Sequence, residues 1–216
     1  MYEINSWYTK LIVDRTLEAL RKNGFEAVYA PDRAEAVSRI LEIVPGDALV
    51  GLGGSVTLRE MGLPEALKAR GNRVADHWEA RENGASAEEV LEIRRAQLNS
   101  DAFITSTNAV TETGELINID GGGQRVAAMI FGPKKVIIVA GTNKIARDLD
   151  EGLHRARNVA ASMNAKRLNR RTPCAVTGAC SDCDSEERIC NVTTIIHRRS
   201  RSTDTTVILV GEKLGY

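Results

Sequence analysis

The chain has 216 residues, with 29 Lys and Arg balanced by 29 Asp and Glu, and it is 43% hydrophobic but only 4% aromatic. That length buries a sizeable core without disulfide staples and fits one domain, residues 1–216, with a decorated loop. Balanced charge and scarce aromatics argue against a nucleic-acid partner, and no apolar run is long enough to span a bilayer.

The opening "MYEINSWYTKLIVDRTLEALRKNG" lacks the basic start, continuous apolar core and small-residue cleavage site of a signal peptide. Ile4, Trp7, Tyr8, Leu11, Val13, Leu17 and Leu20 recur at helical spacing, and Asn23-Gly24 supplies a stop. A cytoplasmic location with reduced thiols is therefore expected. "FEAVYA" predicts a short strand and "PDRAEAVSRILEIV" a helix with Pro and Asp at its start. "DALVGLGGS" reads as a buried strand running into glycines, with "VTLREMG" as the helix after it. "NRVADH" predicts another strand, after which His77-Trp78 could line a pocket. "SAEEVLEIRRAQLNS" opens with a capping box, Ser86 with Glu89.

The middle of the chain changes character. "DAFITSTNAVTETGELINIDGGG" predicts three strands with turns at Asn108 and Thr113-Gly114, the last ending at Asp120. "RVAAMIFG" fits strand or helix equally. "KKVIIVAG" is a β-branched run bounded by Lys and Gly, the pattern of a buried parallel strand. The stretch from Asn143 to Asn169 reads as helical, broken near Asp150 to Gly152, and "TTIIH" and "TTVILVG" predict two closing strands. Alternating helices and buried strands predict an α/β three-layer sandwich with a largely parallel sheet.

All four cysteines fall within "CAVTGACSDCDSEERIC": Cys174, Cys180, Cys183 and Cys190, spaced C-x5-C-x2-C-x6-C. This segment, residues 172–191, breaks the β/α order like an inserted loop. Two disulfides conflict with the expected compartment, and confinement to one loop argues against four unrelated thiols. The central C-x2-C can bring two sulfurs to one metal, and the outer cysteines can complete a four-thiolate shell. Flanking cations in "RLNRRTPC" and "HRRSRS" would offset the charge. Soft ligands and single outer cysteines favour a [4Fe–4S] cluster, with Zn2+ as the alternative.

Two further stretches carry candidate chemistry. At Gly53-Gly54-Ser55 a strand meets a helix, so backbone N–H groups with the hydroxyls of Ser55 and Thr57 could receive an anion. The plain alternative is a tight turn in which Ser55 caps the helix. In the middle block Asn108, Asn118, Asp120, Gly121 and Gly122 put more polar residues and glycine on short strands than strands ordinarily hold. Glu112 and Asp120 could act as general base or nucleophile if held in a cleft. A solvated hairpin with Asx turns explains the glycines but not the whole set. A small anionic ligand is the expected partner, and a homo-oligomer is left open.

The stretches "GGSVTLREMG", "SDAFITSTNAVTETGELINIDGGGQRVAAMIFGPKKVIIVAGTNKI" and "CAVTGACSDCDSEERICN" together resemble the LUD-domain family of lactate utilization proteins, in a cysteine-containing subset. The resemblance covers nearly the whole chain. It implies a fold similar to the sugar-phosphate isomerase and CoA-transferase group, with ligands at the Gly-rich turns after strands. It also implies a link to lactate oxidation beside other iron–sulfur subunits. In the CoA transferases a Glu before a small residue and Gly is the nucleophile, and "TETG" puts Glu112 in a loosely similar setting. An isomerase-like or CoA-transferase-like enzyme with a structural zinc loop, or a non-catalytic redox or docking subunit, are the alternatives.

Overall fold

The computed structural model describes residues 2–216. Its centre is a six-stranded sheet in which every pairing is parallel. The strands are β1 (Glu26–Ala30), β2 (Leu49–Leu52), β3 (Arg73–Asp76), β4 (Ala102–Ser106), β7 (Lys135–Gly141) and β10 (Asp204–Val210), in the order β1-β10-β7-β4-β2-β3. A four-stranded sheet, β8-β5-β6-β9, lies beside it. It is made of β5 (Ala109–Thr111), β6 (Leu116–Asp120), β8 (Ile145–Ala146) and β9 (Val192–Ile196).

Strand β7 shows why the central sheet reads as unbroken apolar runs. Successive side chains alternate between faces. Val136, Ile138 and Ala140 enter one core, and Ile137 and Val139 the other. The first core is closed by α1 (Tyr2–Lys22), α6 (Ala87–Leu98) and α7 (Gln124–Ile130). The second is closed by α2 (Arg33–Ile43), α3 (Val56–Glu60) and α4 (Leu63–Ala69). Helix α5 (His77–Glu82) follows β3. The three-layer α/β sandwich expected from the strand and helix pattern is what the chain forms.

Of the three middle strands, the first is β4 of the main sheet, and the other two, β5 and β6, leave it. They build the second sheet, whose outer face packs on α8 (Leu149–Arg155) and a π-helical segment, Ala156–Ala161. The ambiguous "RVAAMI" is helix α7, with Val126, Ala128 and Met129 buried. The helix expected to break near Asp150 instead starts there. Asp148 caps it, accepting from Glu151 N at 2.9 Å, while Ile145 and Ala146 pair with Val110 and Thr111. After the π segment comes α9 (Ser162–Arg167), then the cysteine segment. That segment opens with α10 (Pro173–Thr177), turns at Gly178 (φ 75°), and runs without regular structure to β9. The stripe on α1 is only half used. Val13, Leu17 and Leu20 are buried, but Ile4, Trp7 and Tyr8 are 55–66% exposed. No helix among the described residues is long and apolar enough to cross a membrane.

Strand direction sets the site. From β2 the chain steps outward to β3, then returns across β2 to β4 on its other side. In open parallel sheets such a reversal leaves a crevice at the carboxyl ends of the strands.

Candidate functional site

A cavity of about 240 Å³ occupies that crevice. Four neighbouring strand ends feed it: Gly54 to Thr57 after β2, His77 and Trp78 after β3, Ser106 to Asn108 at and after β4, and Lys144 after β7. Asp120 to Gly122 after β6 and Gln124 and Arg125 of α7 add a wall. Ala160, Ala161, Asn164 and Arg167 add another, from the π segment and α9. A π bulge widens a helix locally and is common at functional sites.

The charge of this cavity is lopsided. Four arginines, Arg81, Arg94, Arg125 and Arg167, and the lysine Lys144 line it against one side-chain carboxylate among the described residues, Asp120. Asp120 is already spent. It pairs with Arg125 at 3.2 Å and accepts from Gly122 N and Gly123 N at 3.0 and 2.7 Å. Arg125 in turn donates to Ser106 O at 3.0 Å, Asn118 Oδ1 at 2.7 Å and Ile119 O at 2.9 Å, with a longer 3.4 Å contact to Asn108 Oδ1. Arg94 is different. Its Nε is buried without a hydrogen-bond partner among the described residues. Burial and the neighbouring Arg81 pull its pKa down. Two cations crowded together in a cleft favour an anion between them.

His77 is 4% exposed, and Asp76 fixes its place by capping α5 and pairing with Arg59 at 2.6 Å. Gln97 Nε2 donates to Leu52 O and Ala75 O and lies 3.0 Å from His77 Nδ1. Burial, then Arg94, Arg81 and Arg59, lower the His77 pKa to about 4. The imidazole is thus neutral at neutral pH. Arg167 stacks over Trp78, 4.3 Å from the ring centroid, and donates to Tyr216 Oη at 2.7 Å.

Gly54 allows this arrangement. A Cβ there would collide with Trp78 Nε1 and lie 2.8 Å from Cε2. Gly54→Ala is expected to displace the indole and cost about 1–3 kcal/mol, as overpacking does. Urea unfolding followed by Trp fluorescence would measure both effects.

A family model described as the LUD domain matches residues 13–210. The chain belongs to the LUD-domain family. A crystal structure of a DUF162-family protein from Deinococcus radiodurans matches with a TM-score of 0.52 and 15% identity, over 94% of this chain and 98% of that one. At that identity the likeness is one of fold. Among curated proteins none matches this chain.

Within this LUD domain the residues singled out from the sequence are distributed as follows. Gly54, Ser55, Thr57, Asn108, Asp120, Gly121 and Gly122 line the cavity. Gly53 lies outside it, where a Cβ would come 2.5 Å from Thr105 Oγ1, so this glycine serves strand packing. Ser55 caps α3, accepting from Leu58 N at 3.4 Å, and also faces the cavity. Asn118 is buried beneath the cavity wall, holding Arg125. Glu112 is elsewhere: it pairs with Arg15 of α1 at 2.6 Å, beside Tyr8 and Ile12. The structure does not join Glu112 to Asp120 in one cleft, because β5 turns it toward α1. Arg81, Arg94, Gln124, Arg125, Lys144, Arg167 and Tyr216 were not singled out, and no local pattern marks them.

The cysteine segment borders the cavity. Ile189 lines it, Asn191 N donates to Asp120 O at 3.1 Å, and Asn191 Nδ2 donates to Gly121 O at 3.0 Å. A Cβ on Gly121 would meet the Ile189 backbone at 3.3 Å. None of the four cysteines is in a disulfide, and all are half-buried. Asp182, at φ 47°, bends the C-x2-C and donates its N–H to Cys180 Sγ at 3.4 Å. Arg188 donates to Cys183 O at 2.6 Å and Cys190 O at 3.4 Å. Among the described residues no three His, Cys, Asp or Glu side chains converge on a point that could hold a single ion. The chemistry of the donor set still fits a thiolate-ligated group: four free soft donors, an N–H···S bond at the tight pair, and a guanidinium beside them.

Proposed function

We propose that this LUD-domain protein binds a small carboxylate of the 2-hydroxy-acid class in the cationic cavity and holds a [4Fe–4S] cluster on Cys174, Cys180, Cys183 and Cys190. The observation that supports this most is the cavity itself. It has four guanidinium side chains, one neutralised carboxylate among the described residues, and a wall formed by Ile189 of the cysteine segment. Arg94 and Arg81 would receive the carboxylate, with the neutral His77 ring beside the 2-oxygen. Trp78 and Ile189 would shield the ligand from water. A cluster in the adjoining segment would supply one-electron chemistry. Other iron–sulfur subunits are the electron partners this reading requires, in a reducing cytoplasm. A cuboidal cluster holds its four sulfurs farther apart than a single ion does, so the segment need not gather them as tightly as zinc demands.

The test is anaerobic reconstitution with iron and sulfide. The expected product is brown, with about four irons and four sulfides per chain. Cys180→Ser with Cys183→Ser should lose them. A colourless protein with one zinc per chain would overturn the cluster. Independently, L-lactate at 100 times its Kd should stabilise the fold by about 2.7 kcal/mol. Arg94→Gln should weaken that effect. No shift in Tm with lactate, glycolate or pyruvate would remove the carboxylate reading.

A further inference from the structure

Lys144 is unusual for a lysine in three ways. It is 3% exposed, it sits against the cavity, and its hydrogen bonds go to two hydroxyls rather than to a carboxylate. Lysine is almost never fully buried unless paired, since desolvating an ammonium is costly. It lies in the one-turn 3-10 helix Thr142–Lys144 that follows β7, at one end of the row of four strands that feed the crevice.

The direction of those two hydrogen bonds can be worked out. Thr57 Oγ1 lies 3.3 Å from Leu214 O, and Ser106 Oγ lies 3.3 Å from Thr107 O. A carbonyl only accepts, so each hydroxyl proton is committed to its carbonyl. Both hydroxyl oxygens must then accept from Lys144 Nζ, each at 2.9 Å. A neutral amine has two hydrogens and one lone pair. Its two hydrogens match these two acceptors, and its lone pair is left for the open side. Gly215, at φ 57°, packs closely on this pair, since a Cβ there would come 2.5 Å from Thr57 Oγ1. Burial, then Arg155 and Arg125, lower the Lys144 pKa to about 7, with Glu60 opposing. Desolvation beside other cations is a recognised way of activating a lysine nucleophile.

We propose that Lys144 is an amine nucleophile that forms a reversible imine with the carbonyl carbon of a 2-oxo acid seated in this cavity. This rests on the reading of the cavity as a carboxylate site. The 2-oxo acid is the product class of 2-hydroxy-acid oxidation, so the same cations would hold its carboxylate. The Nζ lone pair forms the C–N bond. The carbonyl C–O bond breaks, and its oxygen leaves as water with the two amine protons, so nothing is oxidised or reduced. The hydroxyls of Thr57 and Ser106 aim the lone pair and stand beside the proton transfers.

The test is to incubate the full-length protein with pyruvate and cyanoborohydride, and to read intact mass and a peptide map. The expected result is a mass gain of one reduced pyruvate, mapped to Lys144. Trapping should rise through pH 7 and level off, as that amine loses its proton. Lys144→Arg and Lys144→Met should show no adduct. Pyruvate raising Tm without an adduct on Lys144 would overturn the imine and leave the carboxylate site standing. An adduct confined to other lysines would also overturn it. Absence of both the adduct and any Tm rise with pyruvate or lactate would overturn the imine and the carboxylate site together. The wild-type peptide map decides the matter even if a Lys144 variant fails to fold.

Discussion

Arg125→Met should lose about 3–5 kcal/mol of stability, because removing one member of a buried ion pair strands the other. Arg125 is the hub of the cavity wall. Its guanidinium pairs with Asp120 and bonds the carbonyls of Ser106 and Ile119 and the amide oxygens of Asn118 and Asn108. The side chains of Arg125 and Asp120 are 12% and 9% exposed, so water cannot replace the lost contacts. Urea unfolding would show the loss as a lower midpoint. The double variant Arg125→Met with Asp120→Asn should recover part of it, since the stranded charge is then gone. Equal loss in the single and double variants would mean that the carbonyl contacts, not the ion pair, carry the energy. The wild-type geometry also explains the dense polar residues of β5 and β6. Asn108 and Asn118 look like ligand-binding residues and Asp120 like a catalytic one in the sequence, yet each gives an oxygen to Arg125.

Acid should destabilise the protein over the range set by His77. Its pKa is about 4 in the fold against 6.5 ordinarily, so the unfolded chain binds more protons between these values. Stability therefore rises with pH across that window and is lost as pH falls from 6.5 to 4. The contribution is on the order of 3 kcal/mol at pH 4. Arg94, Arg81 and Arg59 face the ring and oppose its charging, and Asp120 weakly favours it. Carboxylates titrate in the same range, so the measurement is a comparison with His77→Asn. The difference in stability between the two proteins should narrow steadily as the pH falls. If the two curves stay parallel, His77 does not titrate in the fold as described.

Much of the architecture is legible from local pattern. The β-branched runs of β7 and β10, the alternating helices and the Ser86 capping box announce the parallel sandwich, because each depends on neighbours a few residues away. The glycine turn after β2 is legible too. Its purpose is not: Gly53 and Gly54 make room for Thr105 and Trp78, which lie on other strands and helices. The start of α8 is not legible for a similar reason. Ile145 and Ala146 carry helix-compatible spacing, but pairing with β5 outweighs it.

The site follows the same division. The confinement of four cysteines to one segment, the polar middle block and the LUD-family pattern are properties of the string of residues alone. That the cysteine segment walls the cavity through Ile189 is not, because it depends on Asn191 bonding to Asp120 and Gly121, some 70 positions earlier. The convergence of Arg81, Arg94, Arg167, His77 and Lys144 likewise needs the return crossover from β3 to β4 and the packing of α9. Local periodicity reports which face of an element is buried. It carries no information on which buried charge finds a partner, since desolvation and Coulomb energy are set by neighbours distant in the chain. Asp120 and Lys144 therefore exchange standing once the chain folds: the carboxylate is satisfied, and the lysine is left with a free side.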